Sequence, residues 1–339
     1  MATNEEIVRT VSEYIRGSDH PDLQFYRREV MDPASLDRFI WHMRRFCELG
    51  GFFERRVLEV GCGFGWDAVI LSLAGSNEVI ASDILPSMVD GMSQCLISMA
   101  TRGKPLRVIP MLGDICSLAA PPNSFDGIFS SEAIEHVHDL GAMFDKCWEL
   151  LKSGGTAVIV NDSNRYNEDS RNHSFGSWKD RDESWEHANW LKTEVRPVEH
   201  RYARPYAVMR EEMICEAAPD LDDAAVSKLR GATAGMICSE IKVAVEQFKR
   251  DGTLPTPPEF SWCRNPETGE YSERLLDPFE LADMLRERGF EVKMQHLFRR
   301  FPFRLANGIN LRWLSMRLFA LRPHFVLVAK KPGRLPANT

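Results

Sequence analysis

The chain has 339 residues, 44% of them hydrophobic and 27% charged, with a formal net charge of −7. That balance describes a globular protein with enough apolar residues for a full core, in one large domain or two smaller ones, and it gives no electrostatic case for nucleic acid. No apolar run reaches the roughly 18 residues of a membrane span, Met1–Glu6 lacks the basic and apolar regions of a signal peptide, and the eight cysteines form no C-x-x-C pair. Read as buried thiols, they fit a reducing compartment, so a cytoplasmic location is expected.

Residues 5–16 and 33–50 read as helices, the second opened by Asp32-Pro33 and closed by Gly50-Gly51. Buried strands and helices then alternate: strand Val57–Val60, helix Trp66–Ala74, strand Glu78–Ser82, helix Pro86–Arg102, strand Leu106–Met111. Strand Phe125–Phe129 leads to a helix over Glu135–Leu151, and Lys152–Gly155 reads as a turn into strand Thr156–Val160. This alternation predicts a doubly wound, mostly parallel α/β sheet. The pattern breaks over 163–276, which begins polar and aromatic and continues as helices near 206–217 and 222–250. The segment is too long for a loop and reads as an inserted, α-rich cap. Helix Asp277–Arg288, strand Glu291–His296 and strand His324–Ala329 return to the sheet. The expected organisation is a helical segment 1–54, a core of 55–162 and 277–332, and a cap of 163–276.

Val57–Val60 ends in Gly61-Cys62-Gly63-Phe64-Gly65, and Asp83 follows at the end of the next strand. A strand, a glycine turn and a helix N-terminus bring backbone N–H groups to a ligand, and a carboxylate ending the second strand can accept both hydroxyls of a ribose. The dinucleotide pattern is G-x-G-x-x-G, whereas this chain has G-x-G-x-G preceded by Glu59. A nicotinamide-dependent oxidoreductase is therefore disfavoured.

Glu59-Val60-Gly61-Cys62-Gly63-Phe64-Gly65 resembles the first motif of class I S-adenosylmethionine-dependent methyltransferases. Gly113-Asp114-Ile115, the stretch Phe125–Val137 and Leu151-Lys152-Ser153-Gly154-Gly155 are similar to further motifs of the small-molecule branch that includes the ubiquinone-biosynthesis type. Ser153 stands where that branch usually has proline. The resemblance implies a seven-stranded sheet and S-adenosylmethionine as cofactor. It implies a cofactor site of Glu59, Gly61, Cys62, Gly63, Asp83, Ile84, Asp114, Ile115 and Ser131. Glu59 either meets the methionine amino group or organises the loop; Asp114 would meet the adenine amino group. The cap, outside the resemblance, would define the acceptor.

A hydroxyl acceptor usually needs a general base, and the candidates at the sheet's C-terminal edge are Asp162 and His136. Candidate acceptor contacts are Asn164, Tyr166, His173, Trp185, His187 and Trp190. No metal ligand set is read. The Asn/Asp-Pro-Pro-Tyr motif of exocyclic-amine methylation is missing from the stretch Ser131–Ile134, which with the acidic charge argues against a nucleic-acid substrate. The expected activity is O-methylation of a small-molecule, sugar or lipid-linked acceptor. C-methylation of a quinone-like lipid and a non-catalytic cofactor-binding scaffold are the alternatives. Residues 299–322 carry six arginines and no acidic residue among aromatic and aliphatic side chains. That composition suits an anionic acceptor or peripheral contact with the inner face of a membrane.

Overall fold

The computed structural model describes residues 2–20, 23, 32–76, 78–186, 204–308 and 312–333. His187 and Trp190 lie outside the described residues. Two compact units are present: residues 1–134, 139–162 and 278–339 in the first, and 135–138 with 163–277 in the second.

The first unit is built on seven strands: β1 Arg56–Val60, β2 Glu78–Asp83, β3 Val108–Leu112, β4 Phe125–Ser131, β5 Leu151–Asn161, β6 Glu291–Gln295 and β7 Phe325–Lys330. Their order is β3-β2-β1-β4-β5-β7-β6. The first five run parallel, and β7 is antiparallel to both β5 and β6. The mostly parallel sheet expected from the alternating pattern is thus observed, with the seven strands that the resemblance implied. Strand order reverses beside β1, so a crevice opens outside the carboxyl ends of β1 and β4, where open α/β sheets bind ligands.

Helices α1 (Asn4–Ile15), α2 (Pro33–Gly50), α3 (Trp66–Ala74) and α4 (Pro86–Thr101) flank this sheet. A full capping box starts α1: Thr3 accepts from the Glu6 amide and Glu6 accepts from the Thr3 amide. Asp32 caps α2, with Pro33 in its first turn. Ile7, Val11 and Tyr14 of α1 and Ile40, Met43 and Phe46 of α2 share one core cluster with Val57, Phe64 and Val69. The N-terminal helices are therefore part of the core that carries the glycine turn.

Three local expectations are corrected. Helix α5 is Leu140–Leu150 rather than beginning at Glu135, because Asp139 accepts the Ala142 N–H at 2.9 Å and caps the helix there. Residues Lys152–Gly155 belong to β5 as a bulge rather than a separate turn: pairing passes from Phe125↔Leu151 to Gly127↔Thr156, with Gly154 at φ +81°. In the second unit, the single helix expected over 222–250 is two. Helices α6 (Glu168–Glu183), α7 (Tyr206–Ala217), α8 (Asp223–Ala232) and α9 (Cys238–Asp251) make up this unit's helical part. Between α8 and α9 the chain turns at Gly235, φ +84°, where a Cβ would lie 2.8 Å from the Trp262 Cα. Arg210 of α7, almost fully buried, meets Asp182 of α6 in a two-pronged ion pair at 2.6 and 3.0 Å. Helices α10 (Pro278–Glu287) and α11 (Arg312–Leu321) complete the first unit.

Candidate cofactor and methyl-transfer site

The glycine turn is latched onto β2, since the Gly61 and Cys62 amides donate to the Ser82 carbonyl at 2.9 and 3.0 Å. Gly61, Gly63 and Gly65 all have positive φ, at +74°, +51° and +74°, a region that L side chains rarely adopt. A Cβ on Gly61 would lie 2.2 Å from the Ala133 Cβ, and one on Gly65 2.4 Å from the Met92 sulphur. Gly63 has no heavy atom within 4 Å of that position, so its face of the turn is open. From α1, the Tyr14 hydroxyl donates to the Phe64 carbonyl at 2.6 Å and pins the turn from behind.

Asp83 is central. One carboxylate oxygen accepts the Gly63 N–H at 2.8 Å and the other the Leu85 N–H at 2.9 Å. Each oxygen keeps a further lone pair for a ligand hydroxyl. The Gly113 amide donates to the Asp83 carbonyl at 2.9 Å, which brings Gly113-Asp114-Ile115 alongside. Asp114 caps the short turn Ile115–Ser117 by accepting the Cys116 N–H at 3.0 Å, and Ile115 is buried beneath it. Ile84, next to Asp83, is an apolar side chain 52% exposed. Cys62 is buried, and its amide joins the latch onto β2.

Glu59 lies behind the turn, only 2% exposed. Burial pushes its carboxyl well above the usual range, reinforced by the charges of Asp67 and Asp83, while the Ala68 amide opposes the shift. Burial also raises Asp67, in the first turn of α3, to about 7. Glu59 Oε2 and Asp67 Oδ1 have no hydrogen-bond partner. Two buried carboxyls with orphaned oxygens, beside an open glycine turn, fit a ligand that carries an ammonium group.

At the neighbouring strand ends stand Ser131, Glu132, Asp162 and His324. Ser131 ends β4, in register with Val160. Glu132 has a left-handed backbone, φ +46°; its amide donates to the Val160 carbonyl at 3.1 Å and its Oε2 accepts the Asp162 amide at 2.8 Å. Its Oε1 is 3.7 Å from His324 Nε2. The ligand atoms of Glu132, Asp162 and His324 all lie within 4.8 Å of one another, a spacing that also suits a cation. Burial lowers the His324 pKa from 6.5; the Asp162 charge opposes this and Arg38 and Arg322 assist it. His42, its ring 6.5 Å from that of His324, is pushed down to about 4, first by burial. At neutral pH both imidazoles are uncharged.

The other candidates lie in the second unit. His136 directs Nδ1 at the Tyr271 carbonyl, 3.2 Å away, with Nε2 3.8 Å from Glu135. Asn164 is buried and accepts the Tyr166 amide at 3.0 Å. The Tyr166 hydroxyl donates to Asp277 at 2.8 Å, and Arg165 pairs with the same carboxylate. His173 is exposed on α6, and Trp185 is exposed just beyond it. Tyr14, Asp67, Glu132 and His324 are site residues that the sequence reading did not assign. Glu132 stood inside the fourth-strand motif and Asp67 in the first turn after the glycines, so each had a positional signal; Tyr14 and His324 had none.

Residues 58–159 match the family model described as a methyltransferase domain. The chain carries a class I, S-adenosylmethionine-dependent methyltransferase domain. Over 130 residues the chain is 36% identical to a ubiquinone biosynthesis O-methyltransferase of Xylella fastidiosa, covering 38% of this chain and 48% of that protein. It is also similar to phosphoethanolamine N-methyltransferase 3 of Arabidopsis thaliana, 28% identical over 106 residues, covering 31% of this chain and 21% of that one. Among solved structures it resembles a methyltransferase of Aquifex aeolicus at 12% identity and a TM-score of 0.42, covering 98% of this chain and 100% of the other. The chain thus spans about half the length of the ubiquinone-biosynthesis relatives it matches. The cofactor of this domain is S-adenosylmethionine, whose amino group suits the orphaned oxygens of Glu59 and Asp67 and whose ribose suits Asp83.

Proposed function

We propose that the protein methylates an oxygen of a small-molecule, sugar or lipid-linked acceptor. The observation that carries this is the cluster Glu132, Asp162 and His324 at the edge of the sheet formed by the carboxyl ends of β4 and β5 and the first end of the antiparallel β7. S-adenosylmethionine supplies an electrophilic methyl group on a sulphonium centre. What an acceptor hydroxyl then needs from the protein is a place for its proton. His324, uncharged at neutral pH because burial lowers its pKa, accepts that proton on its ring. Glu132 and Asp162 stabilise the imidazolium so formed. The Glu132 side chain is held to the Asp162 backbone by their 2.8 Å hydrogen bond, so the Glu132 carboxylate is positioned before the acceptor arrives. The similarity to ubiquinone biosynthesis O-methyltransferases supports oxygen as the methylated atom. We assign acceptor choice to the second unit, where Trp185 presents an exposed ring.

The test is to incubate the protein with methyl-labelled cofactor and a fractionated metabolite and lipid extract, then locate the label by mass spectrometry. An O-methyl product, lost in His324→Ala, supports the reading. A C-methyl or N-methyl product overturns the oxygen assignment, and label transfer unaffected by His324→Ala overturns the proton route.

A further inference from the structure

We infer that residues 301–308 and 312–321 form a seat for an anionic lipid surface. Fourteen large apolar side chains are exposed among the described residues, and six of them fall in these two segments. Phe301 is 79% and Leu305 74% exposed. The turn Phe303–Gly308 contains no buried residue at all. Helix α11 turns Ser315, Leu318 and Phe319 inward, and so has an ordinary core-facing side. Its outer side is not ordinary, because Trp313, Met316 and Leu321 stand exposed there with Arg312 and Arg317. A helix that is apolar on both sides has a use for the second one, and clustered exposed apolar groups of this kind mark interaction surfaces.

Charge identifies the occupant. In a chain of net −7, residues 299–322 hold six arginines and no carboxylate. Arg299 pairs with Asp37, but among the described residues no carboxylate pairs with Arg300, Arg304, Arg312 or Arg317. Instead Arg312 lies over the Phe279 ring at 5.0 Å and Arg317 over Trp313 at 5.6 Å, which leaves their charge available on the same surface as the rings. Guanidinium groups beside exposed aromatic and aliphatic side chains match a bilayer interface, where rings enter the headgroup boundary and cations meet lipid phosphate. A second copy fits less well, since a two-fold contact would set this positive patch against itself. No described helix is long and apolar enough to cross a membrane, so the contact is peripheral.

The experiment is co-sedimentation of the full chain with vesicles of phosphatidylcholine alone, or of phosphatidylcholine and phosphatidylglycerol in equal parts. The chain is expected to pellet with the mixed vesicles, weakly with the neutral ones, and less as salt rises. Arg304→Gln with Arg317→Gln should lower partitioning by about 30-fold at low salt, roughly fivefold for each charge. Phe303→Ser with Leu305→Ser should lower it by at least about tenfold. All four side chains are exposed and none belongs to the cofactor site, so cofactor affinity measured by calorimetry should stay unchanged and reports that the variants are folded. Equal binding to neutral and mixed vesicles, no binding to either, or variants that pellet like the parent would each overturn the inference. So would self-association in the absence of lipid that Phe303→Ser abolishes.

Discussion

Asp67→Asn probes the buried carboxyl pair behind the glycine turn. Burial raises the Asp67 pKa from 3.8 to about 7. Between those values the folded protein holds a proton that the unfolded chain has released. Stability from this group is therefore present in full below the ordinary carboxylate range and is lost as pH rises toward 7. A shift of about three units corresponds to roughly 4 kcal/mol across that window, at about 1.4 kcal/mol per unit. Glu59 shifts in the same direction, from burial and from the charges of Asp67 and Asp83, and adds to the slope. Asparagine has the same shape and no proton to lose. In urea unfolding at a series of pH values, the variant should gain on the parent as pH rises from about 4 to about 8 and end the more stable protein. The cofactor should show the converse. An ammonium group favours the ionised pair, so parental affinity for S-adenosylmethionine should climb as pH rises through about 7, and this climb should flatten in the variant. A stability difference between the two proteins that stays constant from acid to neutral pH would refute a buried, protonated Asp67 in the folded protein.

Asp83→Ala removes the acceptor of the Gly63 and Leu85 amides and should weaken cofactor binding by roughly 1.5–3 kcal/mol; calorimetry on the folded variant decides, and unchanged affinity would remove Asp83 from the site. Gly61→Ala puts a Cβ 2.2 Å from the Ala133 Cβ at φ +74° and should cost about 2–5 kcal/mol in stability, read as a lowered Tm. His324→Ala should reduce turnover by about 10²–10⁴-fold with cofactor affinity retained. Because burial sets the His324 pKa below 6.5, the acid limb of the parent's rate profile should fall below that value, and an acid limb centred above it would speak for another base.

The sequence by itself determined the layered α/β core, the cofactor turn and the family. Each of these is local: the run Val57–Val60, three glycines at alternate positions and Asp83 are contiguous or nearly so, and glycine has few other reasons to recur where φ must be positive. Helix boundaries were less legible where side chains compete for the start. The Asp139 cap displaced the beginning of α5 from Glu135, and Gly235 split what reads as one amphipathic run. Only the tertiary structure decided which groups act together. Tyr14 reaches the Phe64 carbonyl across 50 residues. His324 joins Glu132 and Asp162 because β7 inserts antiparallel beside β5 and thereby brings its first end to the sheet's carboxyl edge. The raised pKa of Asp67 follows from its burial in the folded protein. Desolvation and the convergence of strand ends are properties of the packed sheet, and no local pattern of residue types encodes them.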